Sequence, residues 1–383
     1  MMLAMKSGCF SIVIDTSSGN SKGHYLQFSI DVFESYERTK RAAVFFTSNQ
    51  TLRDLYQTKK FEYVVLHFAN RDLGIDLFSK VDSFISARAN SSSRATHLLI
   101  LRGKDVSEES RDILGKLLLN NSNLHIEVLV NVSGIISCTN EASSEQRVID
   151  NFTKLGRRVC FLAWDIRAPS YLGVQNIRFL PEPKSAMPRK TYSSSKIIGF
   201  YGKLSFERGL FDLLLSVFFN PNLYYRICGY GFNRNHLYRS RNFISMRRTP
   251  FLGLLSLALN YLVQLALLSS RVSFEERYFS DEREMSSDMQ LCSAVFFSCS
   301  RSPYSSGLVY QSLASGIPVV WNPGNSAMDN VLGEAFPFGR IKRSDLFRYN
   351  RLFKLVKEVE DVTTVPVFDY DIFDHVLSQC PLG

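Results

Sequence analysis

Residues 199–214 read GFYGKLSFERGLFDLL, an apolar run that ends at Gly202 and Lys203, then a short polar turn and a second apolar run. The first run has the length of a buried strand, and the second predicts a helix that begins after Arg208 and Gly209. Two cations on either side of a strand-to-helix turn can converge on one diphosphate. The alternative is a solvated charged turn, the usual environment of a lysine and an arginine in a loop.

Two further turns of this kind follow along the chain. The run YYRICGYGFN (224–233) ends in a turn with Gly229 and Gly231, which alone is a weak glycine motif. The stretch PYSSGLVYQSLASGIPVVWN (303–322) opens a predicted helix with Ser305, Ser306 and Gly307 and contains no charged residue. Helix entrances with free N–H groups bind anions, although serine is also an ordinary helix cap and glycine an ordinary helix end.

These turns belong to an alternation of strands and helices that extends over most of the chain. Strand-like runs occupy 10–15, 42–48, 63–68, 97–103, 126–132, 158–164, 196–202, 224–230, 271–276, 294–300 and 318–322. Amphipathic helices are predicted between them, for example at 24–39 and 107–119. Such alternation predicts an α/β fold with doubly wound parallel sheets.

A length of 383 residues favours two domains, and PEPKSAMPRKTYSSS (181–195) is the best linker between them. We therefore expect a first Rossmann-like domain at 1–180 and a second at 196–360. A C-terminal helix at 361–383 then covers the second sheet or crosses back to the first domain.

The overall composition narrows the class of protein. Apolar residues make up 45% and charged residues 21%, which excludes a disordered or fibrous chain. A net charge of +9 suggests an anionic partner, but the cations are dispersed without a basic stripe, which argues against nucleic acid. Seven scattered cysteines without a CxxC pair, and a beginning unlike a signal peptide, predict a cytoplasmic protein without a zinc site.

Together the three turns resemble the nucleotide-sugar domain of GT-B glycosyltransferases, in particular the retaining family 4 enzymes. GFYGKLSFERGLFDLL is similar to the family's G-R-L-x-x-E-K-G turn, YYRICGYGF to its strand with G-x-G, and SSGLVYQSLASGIPVV to its last nucleotide-binding helix. The resemblance covers about residues 196–335. It implies two Rossmann-like domains that face each other across a cleft, and transfer of a sugar from a nucleotide diphosphate sugar to an acceptor hydroxyl with retention.

The resemblance also implies roles for individual residues. Lys203 and Arg208 would stabilise the departing diphosphate. The donor would be bound by Gly202, Gly229, Gly231, Ser305, Ser306, Gly307 and Gln311. Gly23 and His24 resemble the glycine loop on the acceptor side, although His24 is also an ordinary polar residue at a helix entrance. No metal or other cofactor is implied, and the donor-side turns carry no Asp-x-Asp motif.

The chain departs from the family at the paired glutamates. Gln311 stands at the second position and Pro303 near the first, as in a subgroup without the pair. Gln311 can hydrogen-bond a ribose hydroxyl, but it cannot supply a carboxylate. A non-catalytic protein that binds sugar nucleotides or polysaccharide is therefore the alternative to a transferase.

One segment, at 247–271, is unusually apolar. Phe251 to Leu268 carries no charge, while Ser256, Asn260 and Gln264 form one narrow polar stripe at helical spacing. The segment is either a core helix on the second sheet or an interfacial helix at an anionic membrane, beside a lipid-linked acceptor. Arginines at 239, 241, 247, 248 and 271 flank it and suit anionic headgroups, so a peripheral location at the inner face of a membrane is an expectation.

Overall fold

The structure is a computed structural model in which a defined set of residues is described. These are residues 9–15, 24–47, 52, 54, 66–67, 75–89, 95–103, 106–138, 142–171, 176–181, 196–205, 208–232, 250–279, 282–299, 307–324, 327–335, 337–360 and 370–379. Everything stated below about the structure refers to this part of the chain.

The described strands form two separate, wholly parallel sheets. The first sheet contains β1 (Cys9–Asp15), β2 (Ala43–Thr47), β3 (Leu66–His67), β4 (Ala95–Ile100), β5 (Leu124–Val130), β6 (Val159–Ala163) and β7 (Ile177–Phe179). The second contains β8 (Ile197–Lys203), β9 (Tyr224–Tyr230), β10 (Val272–Glu276), β11 (Ala294–Ser298) and β12 (Val319–Asn322). Each predicted strand run contains a strand, so that prediction is confirmed; β7, a short edge strand, was not predicted.

Helices connect the strands, as parallel pairing requires. They are α1 (His24–Arg38), α2 (Ile75–Ala89), α3 (Glu108–Asn120), α4 (Ser133–Ile136), α5 (Ala142–Thr153), α6 (Ala168–Tyr171), α7 (Leu210–Ser216), α8 (Pro250–Leu267), α9 (Glu282–Met289), α10 (Gly307–Ala314), α11 (Ala327–Ala335), α12 (Arg351–Glu360) and α13 (Tyr370–Ser378). The predicted helices at 24–39 and 107–119 correspond to α1 and α3.

The chain divides into two compact units. The first unit comprises Met1–Pro183 and Asp369–Gly383, and the second comprises Lys184–Phe368. Helix α13 therefore packs in the first unit, against α1. Its position is held by two hydrogen bonds of 2.8 Å from the Arg38 guanidinium to the Asp374 carboxylate, and by Phe373 and Leu377, which are buried in the core of that unit.

In the first unit, both faces of the sheet are buried. Because side chains alternate along a strand, Ile12 and Ile14 of β1 face one apolar cluster and Val13 faces the other. The second cluster includes Phe28 of α1 and Phe373 of α13, so the last helix completes one side of this layer. Burial on both faces explains why these strands read as continuous apolar runs in the sequence.

In the second unit, the strand order determines where a ligand can bind. The order is β10-β9-β8-β11-β12, so the chain moves outward from β8 to β10 and then returns to the other side of β8. The order therefore reverses between β8 and β11. Because the connections after these two strands leave in opposite directions, a crevice forms at their carboxyl ends, which is where open α/β sheets bind ligands.

Candidate functional site

The turn after β8 carries two cations. Lys203 is the last residue of β8, and Arg208 precedes α7 by two residues; both side chains are exposed. Backbone hydrogen bonds from Ser205 N to Lys203 O (2.9 Å) and from Arg208 N to Ser205 O (3.1 Å) hold the turn. Neither cation pairs with a carboxylate among the residues that the structure describes, so both charges are available to an anion at the carboxyl end of the sheet.

The same turn packs against the end of β11. Gly209 has φ +90°, and a Cβ on it would lie 2.7 Å from Cβ of Ser298, the last residue of β11. Only glycine tolerates both the left-handed backbone and this close approach. The turn with Lys203 and Arg208 therefore borders the point between β8 and β11 where the strand order reverses.

The ends of β8 and β9 also approach each other closely. Gly202 pairs with Gly229 across the two strands, and a Cβ on Gly229 would lie only 1.9 Å from the carbonyl oxygen of Gly202. Gly231, two residues after Gly229, has φ +73°. The predicted donor-side glycines thus form the carboxyl edge of the second sheet, where backbone rather than side chains would meet a ligand.

Helix α10 begins at Gly307, on the other side of the reversal point. Ser305 and Ser306 lie outside the described residues. Gln311 is only 4% exposed, and its Nε2 donates a hydrogen bond to Oγ of Ser286 on α9. Within the described residues its Oε1 accepts no hydrogen bond. The Gln311 amide therefore joins α9 to α10, with its donor engaged and its acceptor oxygen buried.

An exposed pair of tyrosines lies at the same edge, and the sequence did not single it out. Tyr230 ends β9 and is 43% exposed; Tyr278 follows β10 by two residues and is 39% exposed. The ring centroids are 5.1 Å apart, with 64° between the planes. Partial burial, together with Tyr230, raises the pKa of Tyr278, so its hydroxyl stays protonated at neutral pH. An aromatic residue at or within two residues of the end of each of two neighbouring strands was the available signal.

A charged network underlies this edge. The Asp288 carboxylate on α9 accepts hydrogen bonds from Nη2 of Arg226 (2.7 Å), Nη2 of Arg277 (2.8 Å) and the Tyr201 hydroxyl (2.8 Å). Burial opposes ionisation of Asp288, but the hydrogen bonds from Arg226 and Tyr201 outweigh it and lower the pKa of the carboxyl. Asp288 is therefore ionised at neutral pH and ties α9 to β8 and β9.

Cys228, Glu275 and Asp288 have possible metal-ligand atoms within 4.8 Å of one another. Arg226 and Arg277, however, donate to the two carboxylates, and Nε of Arg277 lies 3.4 Å from the Cys228 sulfur. Burial also raises the pKa of the Cys228 thiol, which keeps it protonated. Two guanidinium groups at this position favour a charge network over a cation site. The chain's one Asp-x-Asp sequence, Asp369–Asp371, is far from the donor-side turns in the sequence, and its last residue belongs to α13.

The first unit has a cavity of its own. It has a volume of about 330 Å³ at the carboxyl ends of β4, β5 and β6. Its lining includes Arg102, Asn131, Glu145, Arg147 and Trp164. Oε2 of Glu145 accepts a hydrogen bond from the Ile135 N–H (3.0 Å), which fixes this carboxylate against α4. Gly23 lies outside the described residues; His24 begins α1, but its side chain is not described.

No model of a protein family matches the chain, and no curated protein does. Solved structures do match over nearly the full length. HepE of Anabaena, in complex with UDP and glucose, has a TM-score of 0.59 at 11% identity over 96% of this chain and 97% of that one. A glycosyltransferase of Rickettsia africae has 0.57 at 9% identity over 96% of each chain.

TarM of S. aureus has a TM-score of 0.55 at 11% identity over 92% of each chain. At these identities the comparisons establish architecture rather than activity. They agree with the two parallel sheets, each flanked by helices, that the expected fold class requires. The chain therefore has the α/β GT-B fold of glycosyltransferases.

Proposed function

We propose that the protein is a glycosyltransferase that moves a sugar from a nucleotide diphosphate sugar to an acceptor hydroxyl. One observation carries the proposal: Lys203 and Arg208, unpaired within the described residues, border the point of strand-order reversal in the second unit. The GT-B fold supports it, because HepE with this fold binds UDP and glucose. The acceptor is a glycan or a lipid-linked or protein-linked hydroxyl.

In the proposed reaction, the bond between the anomeric carbon and the diphosphate breaks, and its electron pair stays on the departing diphosphate. Lys203 and Arg208 stabilise the negative charge that grows there, which is electrostatic preorganisation. The acceptor hydroxyl forms the new bond to the anomeric carbon on the face that the diphosphate leaves, and its proton passes to a phosphate oxygen of the departing diphosphate. Because two fixed cations do what a metal ion would do, we propose that the reaction is independent of metal; retention of configuration is proposed from the resemblance to family 4.

The tyrosine pair provides a place for the nucleobase. Tyr230 and Tyr278 present partly exposed rings at the ends of β9 and β10, beside the strand that carries Lys203. A base that stacks on such a ring gains on the order of 1 kcal/mol beyond the area it buries. The proposed donor therefore lies along the carboxyl edge of the second sheet, with its base toward β10 and its diphosphate toward β8, where Gly202, Gly229 and Gly231 let it approach the backbone.

The cavity of the first unit fits part of a sugar acceptor. Trp164 offers an apolar ring, while Asn131, Arg102 and Arg147 carry hydrogen-bond donors, and an aromatic ring with a few polar groups is the usual lining of a small-ligand pocket. We assign the cavity to the acceptor together with the loop of Gly23 and His24. We also propose that the protein acts in the cytoplasm, peripherally at the inner face of a membrane.

The deciding experiment incubates the purified protein with UDP-, GDP- and ADP-sugars and measures release of the nucleoside diphosphate, with calorimetry for binding. We expect one base to be preferred, and release that continues in EDTA. Tight binding of a sugar nucleotide without release, in the presence of a panel of glycan and lipid-linked acceptors, would instead favour the non-catalytic alternative. Absence of both binding and release would refute the proposal.

A further inference from the structure

Over residues 258–267, where its side chains are described, helix α8 packs on the second unit through one side. Val263 and Ala266 are fully buried, and the helix contacts α7 and β10. Arg271, just beyond the helix, donates hydrogen bonds to the carbonyl oxygens of Asn220 (2.8 Å) and Val217 (2.9 Å). These contacts fix the orientation of α8, so its opposite side is fixed as well.

The opposite side is apolar and exposed to solvent. Tyr261 is 64% exposed, Leu262 37%, Leu265 38% and Leu268 81%. Spacings of one, three and four residues place these four side chains on one stripe, which we call the apolar stripe. The predicted polar stripe does not cover it: Asn260 and Gln264 are only partly exposed, between the buried and the exposed sides. One side of α8 thus packs as a core helix does, while the exposed side leaves the interfacial alternative open.

The charge of the molecule is distributed unequally between the units. The second unit, Lys184–Phe368, contains 23 of the 45 Lys and Arg residues but only 14 of the 36 Asp and Glu residues. The first unit therefore contains 22 basic and 22 acidic residues. The second unit therefore carries the whole net charge of +9. Arg247 and Arg248 precede the first residue of α8 by three and two positions in the sequence, while residues 249–270 carry no charge.

We propose that the apolar stripe binds the surface of an anionic membrane, with α8 lying in the plane of the interface. An exposed apolar stripe on a unit with a net charge of +9 is the combination that suits a helix in the headgroup region of an anionic membrane. Tyrosine rings are also enriched at that depth. The side of α8 that packs on the second unit remains buried, and the membrane covers the side that protein does not.

Two other occupants fit less well. None of the described helices combines the length and apolarity that crossing a bilayer requires. A second copy of the chain, docked through the same stripe, would bring together two units that each carry +9, and like charges oppose such pairing. An anionic lipid surface is complementary to the same charge, and each cation near it adds to the attraction.

The proposal does not rest on the transferase activity, because binding to vesicles is measured without donor or acceptor. The experiment sediments the purified protein with vesicles of phosphatidylglycerol and phosphatidylcholine, or of phosphatidylcholine alone, at low and high salt. We expect stronger binding to the anionic vesicles and a loss of that preference at high salt.

The variants L268E and Y261D each place a carboxylate on the apolar stripe. Because both side chains are well exposed, the fold should persist, which circular dichroism checks. We expect each variant to reduce the partition coefficient on anionic vesicles about tenfold or more. The matched control is L119E, since Leu119 on α3 of the first unit is 83% exposed, and it should bind as the unmodified protein does.

Three results would overturn the proposal. The first is no sedimentation of the unmodified protein with anionic vesicles at low salt. The second is an equal loss of binding in L119E. The third is a dimer without lipid that L268E dissociates, since the stripe would then belong to a second copy of the chain.

Discussion

The two units of the molecule treat their charged residues differently. In the first unit, Glu127 is fully buried between Arg178 and His97, whose Nε2 lies 3.3 Å from the carboxylate. The 22 Lys and Arg residues of that unit equal its 22 Asp and Glu residues in number. In the second, Lys203 and Arg208 lie unpaired, within the described residues, at the edge of the sheet. Both units use ion pairs to hold elements together, the second through Asp288, but the second also leaves two cations available to an anion. The contrast indicates that the reaction with an anionic substrate takes place at the sheet edge of the second unit.

The largest expected effect tests the first unit. Glu127→Ala removes the buried carboxylate that compensates the Arg178 guanidinium, so we expect the free energy of unfolding to fall by about 3 kcal/mol. Urea denaturation measures it. Asp112→Ala, at an exposed position on α3, is the control and should change little. Equal stability of the two variants would mean that the buried charges of the first unit do not hold it together.

The next effect tests the second unit. Lys203→Ala and Arg208→Ala should each lower kcat about 10²-fold, because each removes one fixed positive group from the departing diphosphate. Neither should change the melting temperature, since both side chains are exposed. Lys357→Ala, an exposed lysine on α12, serves as control. Near-normal turnover in both variants would remove these residues from the mechanism and erase the contrast.

A smaller effect concerns acid stability of the second unit. The pKa of Asp288 is lowered in the folded protein, so its contribution to stability is present above the unfolded value of about 3.9 and is lost as pH falls below it. Asp288→Asn should therefore be less stable at neutral pH and should lose less stability between about pH 5 and pH 3. Thermal melts over that range measure the difference. Parallel pH profiles would show that Asp288 contributes nothing through its charge.

The smallest effect concerns the base. Tyr278→Ala removes one ring of the pair at the ends of β9 and β10, and we expect the Kd for the preferred nucleoside diphosphate to rise about tenfold or less. Tyr278→Phe keeps the ring and should bind nearly as well. Calorimetry distinguishes the two. If the Kd of Tyr278→Phe rises as much as that of Tyr278→Ala, the hydroxyl rather than the ring binds the nucleotide.

Much of the fold could be predicted because strands that are buried on both faces leave continuous apolar runs in the sequence. The edge strand β7 could not, because it has three residues and includes Arg178, whose charge is paired only in the folded sheet. The glycines and cations of the turn after β8 were visible as a local pattern. Tyr230 and Tyr278 were not, since 48 residues separate two rings that meet only once β9 and β10 pair.

The orientation of α8 was also beyond the sequence. The sequence shows a polar stripe of Ser256, Asn260 and Gln264 but does not tell which side of the helix packs, and in the structure Asn260 and Gln264 are only partly exposed. The packing of Val263 and Ala266 against the second unit decides the rotation of the helix instead. Periodicity identifies a helix, whereas its neighbours determine which side faces water.

The place of α13 has a consequence for biosynthesis. The ribosome finishes the seven strands of the first sheet long before it makes residues 370–378, and it makes the whole second sheet in between. Until then, the hydrophobic site that receives Phe373 and Leu377 stays open on a nascent polypeptide. The domain that emerges first is thus the last to be completed, and for that interval it exposes apolar surface of the kind that chaperones recognise.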